Sequence, residues 1–361
     1  MQQTVTKSQI VPKGRRRGVS AIETARYVVT AWLVFWFVLV RRLFFGPRHP
    51  AWSFRKELAT TLMRHSVRRI NGLPAAEARA RERATLIHHS HRSRVRHTHR
   101  VLAGLATEVF EAVQPASGRP TILYLHGGGY MLCSPATHRD LLSRIAAASG
   151  ARVIAIDYRK APVHPFPAAI DDCEHAYRDL LDEGVDPDTL FVAGDSAGGG
   201  LAIATLLRAR AARLPLPRAA ILLSPWVDLE HTGASIASNA RYDYLLPEGL
   251  GLASRDYLQG ANPRHPEASA IHADLRGLPP LLVQTGSAEL FYAENLLFVE
   301  RARAAGVSVT HEIEQGMVHV YAAFASYAPE CQAAIARIGA FVRQFADAPR
   351  AADPALVDAL G

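Results

Sequence analysis

The chain has 361 residues, 49% of them hydrophobic and 20% charged, which suffices for one large α/β domain with an appendage and excludes wholesale disorder. Its net charge of +8 is almost all arginine and is concentrated ahead of residue 101; with no zinc-finger spacing or nucleic-acid signature beside it, no nucleic-acid partner is expected. Three cysteines, Cys133, Cys173 and Cys331, make no disulfide framework and fit a reducing compartment.

The first candidate element is the charge-free run YVVTAWLVFWFVLV at 27–40, with Arg26 before it and Arg41 and Arg42 after it. As a helix it covers roughly 21 Å, short of the ~30 Å hydrocarbon core, so it spans only with help from its flanks, the two arginines snorkelling and residues 43–45 re-entering lipid. Residues 1–48 are therefore read as a basic N-terminal segment with a membrane-anchor or interfacial helix, the catalytic domain lying on the cytoplasmic side. A cleaved signal peptide lacks a small-residue cleavage site after the run, and a lid or packing helix is the remaining alternative. Residues 49–100 follow as a cap segment. The stretch at 75–100 is rich in Arg and His, including His88, His89, His91, His97 and His99. No acidic or Cys partner stands at ligand spacing, so no metal is assigned and the stretch reads as a solvated connection.

From residue 101 to 361 the pattern becomes strand–helix alternation. Strands are expected within 101–113 (one or two) and at 121–125, 152–156, 190–193, 219–223, 280–284 and 307–311. Helices are expected at 139–149, 169–181, 196–212, 293–305 and 330–345. Near-continuous apolar strands alternating with helices argue for a doubly wound, mostly parallel sheet covered on both faces. The segment at about 228–275 breaks this rhythm and reads as a cap insertion.

Two motifs carry chemistry. Gly194-Asp195-Ser196-Ala197-Gly198 has the G-x-S-x-G form, in which a serine sits on a sharp strand-to-helix turn too tight for flanking side chains. The motif alone is weak, but here it follows an apolar strand and opens a helix. His126-Gly127-Gly128-Gly129 follows the strand at 121–125, where consecutive glycines bring backbone N–H groups close to a developing oxyanion. The oxyanion donors are assigned to Gly127, Gly128 and Ala197, and His126 to propping the loop.

With these residues the chain from 101 to 342 resembles the hormone-sensitive lipase family of α/β-hydrolases. The matching segments are HGGGY at 126–130, DYRKAPVHPFPAA at 157–169, GDSAGGG at 194–200, LRGLPP at 275–280 and GMVH at 316–319. The resemblance implies an α/β fold with an eight-stranded sheet and a helical cap. The N-terminal segment is also similar to that of the membrane-tethered arylacetamide-deacetylase branch. The triad order in this fold is Ser, then Asp or Glu, then His, which places the base at His319. The family usually carries Asp two residues after a strand-closing glycine, but that position here is Ala288. Glu289 is the next carboxylate and is assigned as the acid, with Glu294 as the alternative, expected as a surface residue of the following helix. Cys133 stands where the family often has glycine, and Val163 where it often has Glu. Asp171 and Asp172 read as first-turn helix carboxylates.

The implied activity is hydrolysis of short- to medium-chain or lipid-like carboxylic esters through an acyl-enzyme, with no cofactor. An amide hydrolase or acyltransferase with the same triad, or a ligand-binding member of the fold, are the alternatives.

Overall fold

A computed structural model describes residues 21–84, 93–326 and 328–347. His88, His89 and His91 lie outside the described residues.

The sheet has eight strands in the order β1-β2-β4-β3-β5-β6-β7-β8. β1 (Val95–Leu102) and β2 (Leu105–Ala112) form a hairpin, and β2 runs antiparallel to β4 (Arg152–Ile156). β3 (Thr121–Leu125), β4, β5 (Leu190–Asp195), β6 (Ala219–Leu223), β7 (Leu281–Gly286) and β8 (Val309–Glu314) are mutually parallel. The doubly wound, mostly parallel eight-stranded sheet expected from the sequence is thus present.

The inner strands β3 to β6 are largely apolar because helices cover both faces, and their side chains sort by the two-residue period of a strand. Ile122, Tyr124, Val153, Phe191 and Ile221 face α4 (Arg139–Ser149) and α10 (Pro329–Asp347). Leu123, Leu125, Ile154, Val192 and Leu222 face α5 (Ala168–Asp182), α6 (Ala197–Ala211) and α9 (Tyr292–Ala304). Each such buried aliphatic or aromatic side chain contributes about 1.5–3 kcal/mol against exposure.

β1 begins at Val95, inside the stretch expected as a polar connection. Only its ends, Val95 and Leu102, are buried, and its Arg and His residues occupy the free edge, where charge discourages pairing with another chain. The hairpin closes through Ala103 and Gly104, at φ 50° and 75°, as a two-residue primed turn requires. Across it Glu108 meets His97 Nε2 at 2.8 Å, bringing His97, His99 and Glu108 together. Arg139 nevertheless forks both Glu108 oxygens at 2.7 Å, so the carboxylate serves a guanidinium.

Outside the helices that cover the sheet, α2 (Phe54–Ile70) and α3 (Ala75–Ala84) precede β1, and α7 (Ser235–Ser238) and α8 (Pro247–Leu258) lie between β6 and β7, in the two segments expected as a cap. Ser53 caps α2 by accepting from Lys56 N. Trp52 Nε1 donates to Gly316 O and Lys56 pairs with Glu330, which seats α2 beside the turn after β8. Ahead of it, α1 (Ala21–Phe45) is a 25-residue helix, about 37 Å long, so the helix outlasts the charge-free run by enough to span a bilayer. Along Val28–Phe45 only 6% of the residues are buried. Arg41 and Arg42 do not reach outward as expected. Both turn back to Glu57 of α2, which is fully buried.

Candidate active site

β5 ends at Asp195 and α6 starts at Ala197, leaving Ser196 alone in the turn at φ 53°, ψ −123°. This backbone region is costly for a residue with a side chain, by about 1–3 kcal/mol. Two hydrogen bonds tie it to the end of β6 and the loop after it: Ser196 N donates to Leu223 O at 2.9 Å, and Trp226 N to Ser196 O at 2.8 Å, while Gly199 N and Gly200 N of α6 also donate to Ser196 O. The flanking glycines are a steric necessity. A Cβ on Gly194 would lie 2.2 Å from Gly198 O, and one on Gly198 would lie 1.9 Å from Leu125 O.

The glycine loop leaves β3 beside this turn. His126 is fully buried, stacked on Tyr158 at 4.2 Å, and its carbonyl accepts from Tyr158 Oη at 2.7 Å. Burial pushes its imidazole down to about 4, keeping it neutral. Gly127 N donates to Asp195 Oδ1 at 3.0 Å, and Tyr124 Oη donates to the same oxygen at 2.8 Å. His138 Nε2 stands 3.3 Å from the other oxygen, Oδ2. Among the described residues nothing accepts from the N–H groups of Gly128, Gly129 or Ala197. Ala197 N opens α6, where no carbonyl four residues back can take it.

The remaining candidates arrive from the other end of the sheet. His319, in the turn after β8, is 2% exposed and lies edge-on to Phe291 at 5.0 Å. Its backbone N–H donates to Asp243 Oδ1 at 3.3 Å, and its Nδ1 has no hydrogen-bond partner among the described residues. Burial pushes the imidazole down to about 3, with the Asp195 charge acting against that shift. Glu289, just after β7, is fully buried. Its Oε2 accepts from Ser224 Oγ at 2.6 Å and Gly286 N at 2.9 Å, and its Oε1 from Asn295 Nδ2 at 3.0 Å. Burial outweighs these bonds and pushes the carboxyl up to about 8. Ser224 Oγ also accepts from Val320 N at 2.9 Å, so one hydroxyl links the Glu289 loop to the residue after His319.

A family model described as alpha/beta hydrolase fold matches residues 122–323. The chain belongs to the hormone-sensitive lipase family of α/β-hydrolases. It is 47% identical over 236 residues to an acetyl-hydrolase of Streptomyces hygroscopicus, covering 64% of this chain and 79% of that one. It is 38% identical over 242 residues to an esterase of Acinetobacter venetianus, covering 66% and 79%. Among solved structures, an esterase from the bacterial hormone-sensitive lipase family superposes with a TM-score of 0.77 at 39% identity, covering 82% of this chain and 99% of that one. The esterase EstE5, soaked with p-nitrophenyl butyrate, gives 0.77 at 38% identity, covering 81% and 99%.

In this hydrolase, sequence reasoning and geometry part at three places. Gly127 was expected to offer an oxyanion donor, but its N–H is already bound to Asp195, leaving Gly128 and Gly129 as the loop's open donors. Glu294 does lie in the first turn of α9, but it is 1% exposed, not on the surface. Its Oε1 accepts from Gly233 N at 3.2 Å, and burial followed by the charge of Asp228 pushes it up to about 8. Asp172 does more than sit at a helix start, since it pairs with the Arg159 side chain and accepts from Arg159 N at 2.7 Å. Cys133 has φ 65°, which accounts for glycine being frequent there. It lines a cavity of about 370 Å³ with Arg79, Tyr158, Lys160 and His164. Val163 is 70% exposed, so the absent Glu leaves no buried partner stranded. Ser224, Asn295 and Asp243 carry no motif and were missed.

Proposed function

We propose that this carboxylic-ester hydrolase uses Ser196 as nucleophile, His319 as general base and Glu289 as the acid that supports the base. Ser196 Oγ attacks the acyl carbon while His319 takes its proton; the proton then passes to the leaving alkoxide, which departs as the alcohol. Water, activated by the same imidazole, releases the acid from the acyl-enzyme. The N–H groups of Gly128, Gly129 and Ala197 receive the oxyanion. The observation that carries this reading is the strained Ser196 turn beside the glycine loop, with open N–H groups at Gly128 and Gly129 on that loop and at Ala197 at the start of α6.

Burial disfavours the charged form of both groups, raising the Glu289 carboxyl and lowering the His319 imidazole. The positive charge appears on His319 only when Ser196 gives up its proton, and an ionised Glu289 favours that charge. Nδ1 has no hydrogen-bond partner among the described residues, which leaves it open to the Glu289 carboxylate once the imidazolium forms. The two groups therefore titrate as a pair rather than singly.

The substrates are short- to medium-chain or lipid-like esters, in keeping with the acetyl-hydrolase and esterase relatives. The exposed apolar surface of α1 supports membrane association of the N-terminal segment. The direct test is covalent labelling by an organophosphonate together with hydrolysis of p-nitrophenyl esters. Ser196→Ala should abolish both, and labelling that persists in this variant would overturn the assignment.

A further inference from the structure

Asp243 lies in the connection between α7 and α8, far in sequence from every motif, and its side chain is fully buried. Its Oδ1 accepts from Tyr244 N at 2.7 Å and from His319 N at 3.3 Å. Its Oδ2 accepts from Leu290 N at 2.8 Å. Leu290 follows Glu289 directly. One carboxylate from the cap insertion therefore ties the backbone of the Glu289 loop to the backbone of His319. The main chain of Asp243 is held in turn: Arg64 Nη1, on α2, donates to Asp243 O and, at 2.7 Å, to Ala240 O. α2 also carries Glu57, which holds Arg41 and Arg42 at the end of α1.

Burying a carboxyl is expensive, and an apolar residue would pack this position at lower cost. What an apolar residue lacks is two acceptor atoms on one rigid group, able to reach donors on two separate loops at once. Those loops carry the two residues whose relative placement governs proton transfer, where an error of about 1 Å can cost on the order of 10²-fold in rate.

We propose that Asp243 is a positioning residue for ester hydrolysis, setting His319 against the Glu289 loop, and that Arg64 extends this control to the N-terminal cap helix. The proposal rests on the roles given above to Ser196 and His319. Asp243→Asn keeps the shape and one acceptor oxygen but turns a donor toward one of the bound N–H groups. The full chain should then lose roughly ten- to a hundredfold in kcat on p-nitrophenyl butyrate. KM should stay within about twofold, and the rate of phosphonate labelling should fall in proportion to kcat. A purely structural role would lower the melting temperature without slowing the folded fraction. Arg64→Ala, which leaves the carboxylate in place, should give the same pattern more weakly. It decides the matter if Asp243→Asn does not fold. Unchanged kcat in folded Asp243→Asn, or in Arg64→Ala when that is the only folded variant, overturns the proposal. A Ser196→Ala control separates the two layers: activity surviving there defeats the triad itself, whereas loss there with full activity in Asp243→Asn defeats only the positioning role.

Discussion

The backbone N–H of Gly127 lies 3.0 Å from Oδ1 of Asp195, the residue immediately before Ser196. The nucleophile turn and the glycine loop are thereby joined by the turn's own neighbour, and Tyr124 Oη completes the junction at 2.8 Å. A Cβ on Gly127 would lie 2.2 Å from Asp195 Oδ2, so the glycine is there for this approach. Asp195→Ala removes the acceptor and leaves two buried donors unsatisfied, at about 1–3 kcal/mol each. The loop relaxes, Gly128 and Gly129 leave their positions, and kcat should fall on the order of 10²-fold, comparable to losing one oxyanion donor. Asp195→Asn can keep an oxygen toward both donors and should lose less. Steady-state kinetics on a short p-nitrophenyl ester decide it. If Asp195→Ala turns over like the wild type, this bond does not hold the loop.

The membrane prediction follows from α1. Trp32, Phe44 and Phe45 are 61%, 77% and 80% exposed, an apolar surface that water disfavours and an interface accepts. The full chain should sediment with membranes and require detergent for release, and a chain lacking residues 1–39 should stay in solution. The deletion must stop short of Arg41 and Arg42, because without them the buried Glu57 loses its two cations, a loss of about 3–5 kcal/mol. A full chain that stays in the supernatant at high salt without detergent refutes membrane association.

Much of the fold could be read from the sequence because its strands announce themselves. The runs at 121–125, 152–156 and 219–223 coincide with β3, β4 and β6, since strands buried on both faces leave uninterrupted apolar stretches between turn residues. β1 escaped for the opposite reason: an edge strand whose interior positions are exposed reads like a polar linker. The site was legible where local geometry requires particular residues, as glycine does around Ser196. It was not legible where contacts join distant positions. Asp243 and His319 are separated by 76 residues, Gly127 and Asp195 by 68, and no periodicity encodes such pairs. Exposure failed similarly at Glu294, whose helix presents that position to the cap insertion rather than to water.

Glu294 makes a prediction about stability. Burial, and then Asp228, raises its carboxyl from 4.5 to about 8. The folded chain therefore holds this proton more tightly than the unfolded chain does. Its contribution is fully present below about pH 4.5 and is lost as pH rises through about 8, at roughly 1.4 kcal/mol for each pH step between those two limits. Glu294→Gln fixes the neutral form and should lose less stability between pH 5 and pH 9 than the wild type does. Urea unfolding midpoints at several pH values measure this. Parallel curves for the two proteins would mean that Glu294 does not titrate in this window.

Glu289→Gln and Glu294→Gln, compared in their kinetics, distinguish the two candidate carboxylates. Glu289→Gln should be tolerated by the fold. Its amide oxygen can take the place of Oε2, which Ser224 Oγ and Gly286 N address at 2.6 and 2.9 Å. Its amide NH₂ then faces Asn295, whose Oδ1 has no partner among the described residues and can turn to accept it. The charge that supports the His319 imidazolium is gone, however, and the corresponding amide substitution in a serine protease costs about 10⁴ in kcat, or ~5 kcal/mol. Glu294→Gln changes a group that hydrogen-bonds Gly233 N rather than the loops carrying Ser224 and His319, so its kcat should stay within about threefold of the wild type, a change of ~0.7 kcal/mol. The two variants should differ by orders of magnitude on the same ester while both unfold cooperatively. Equal activity in the two, or a loss confined to Glu294→Gln, would move the acid away from Glu289.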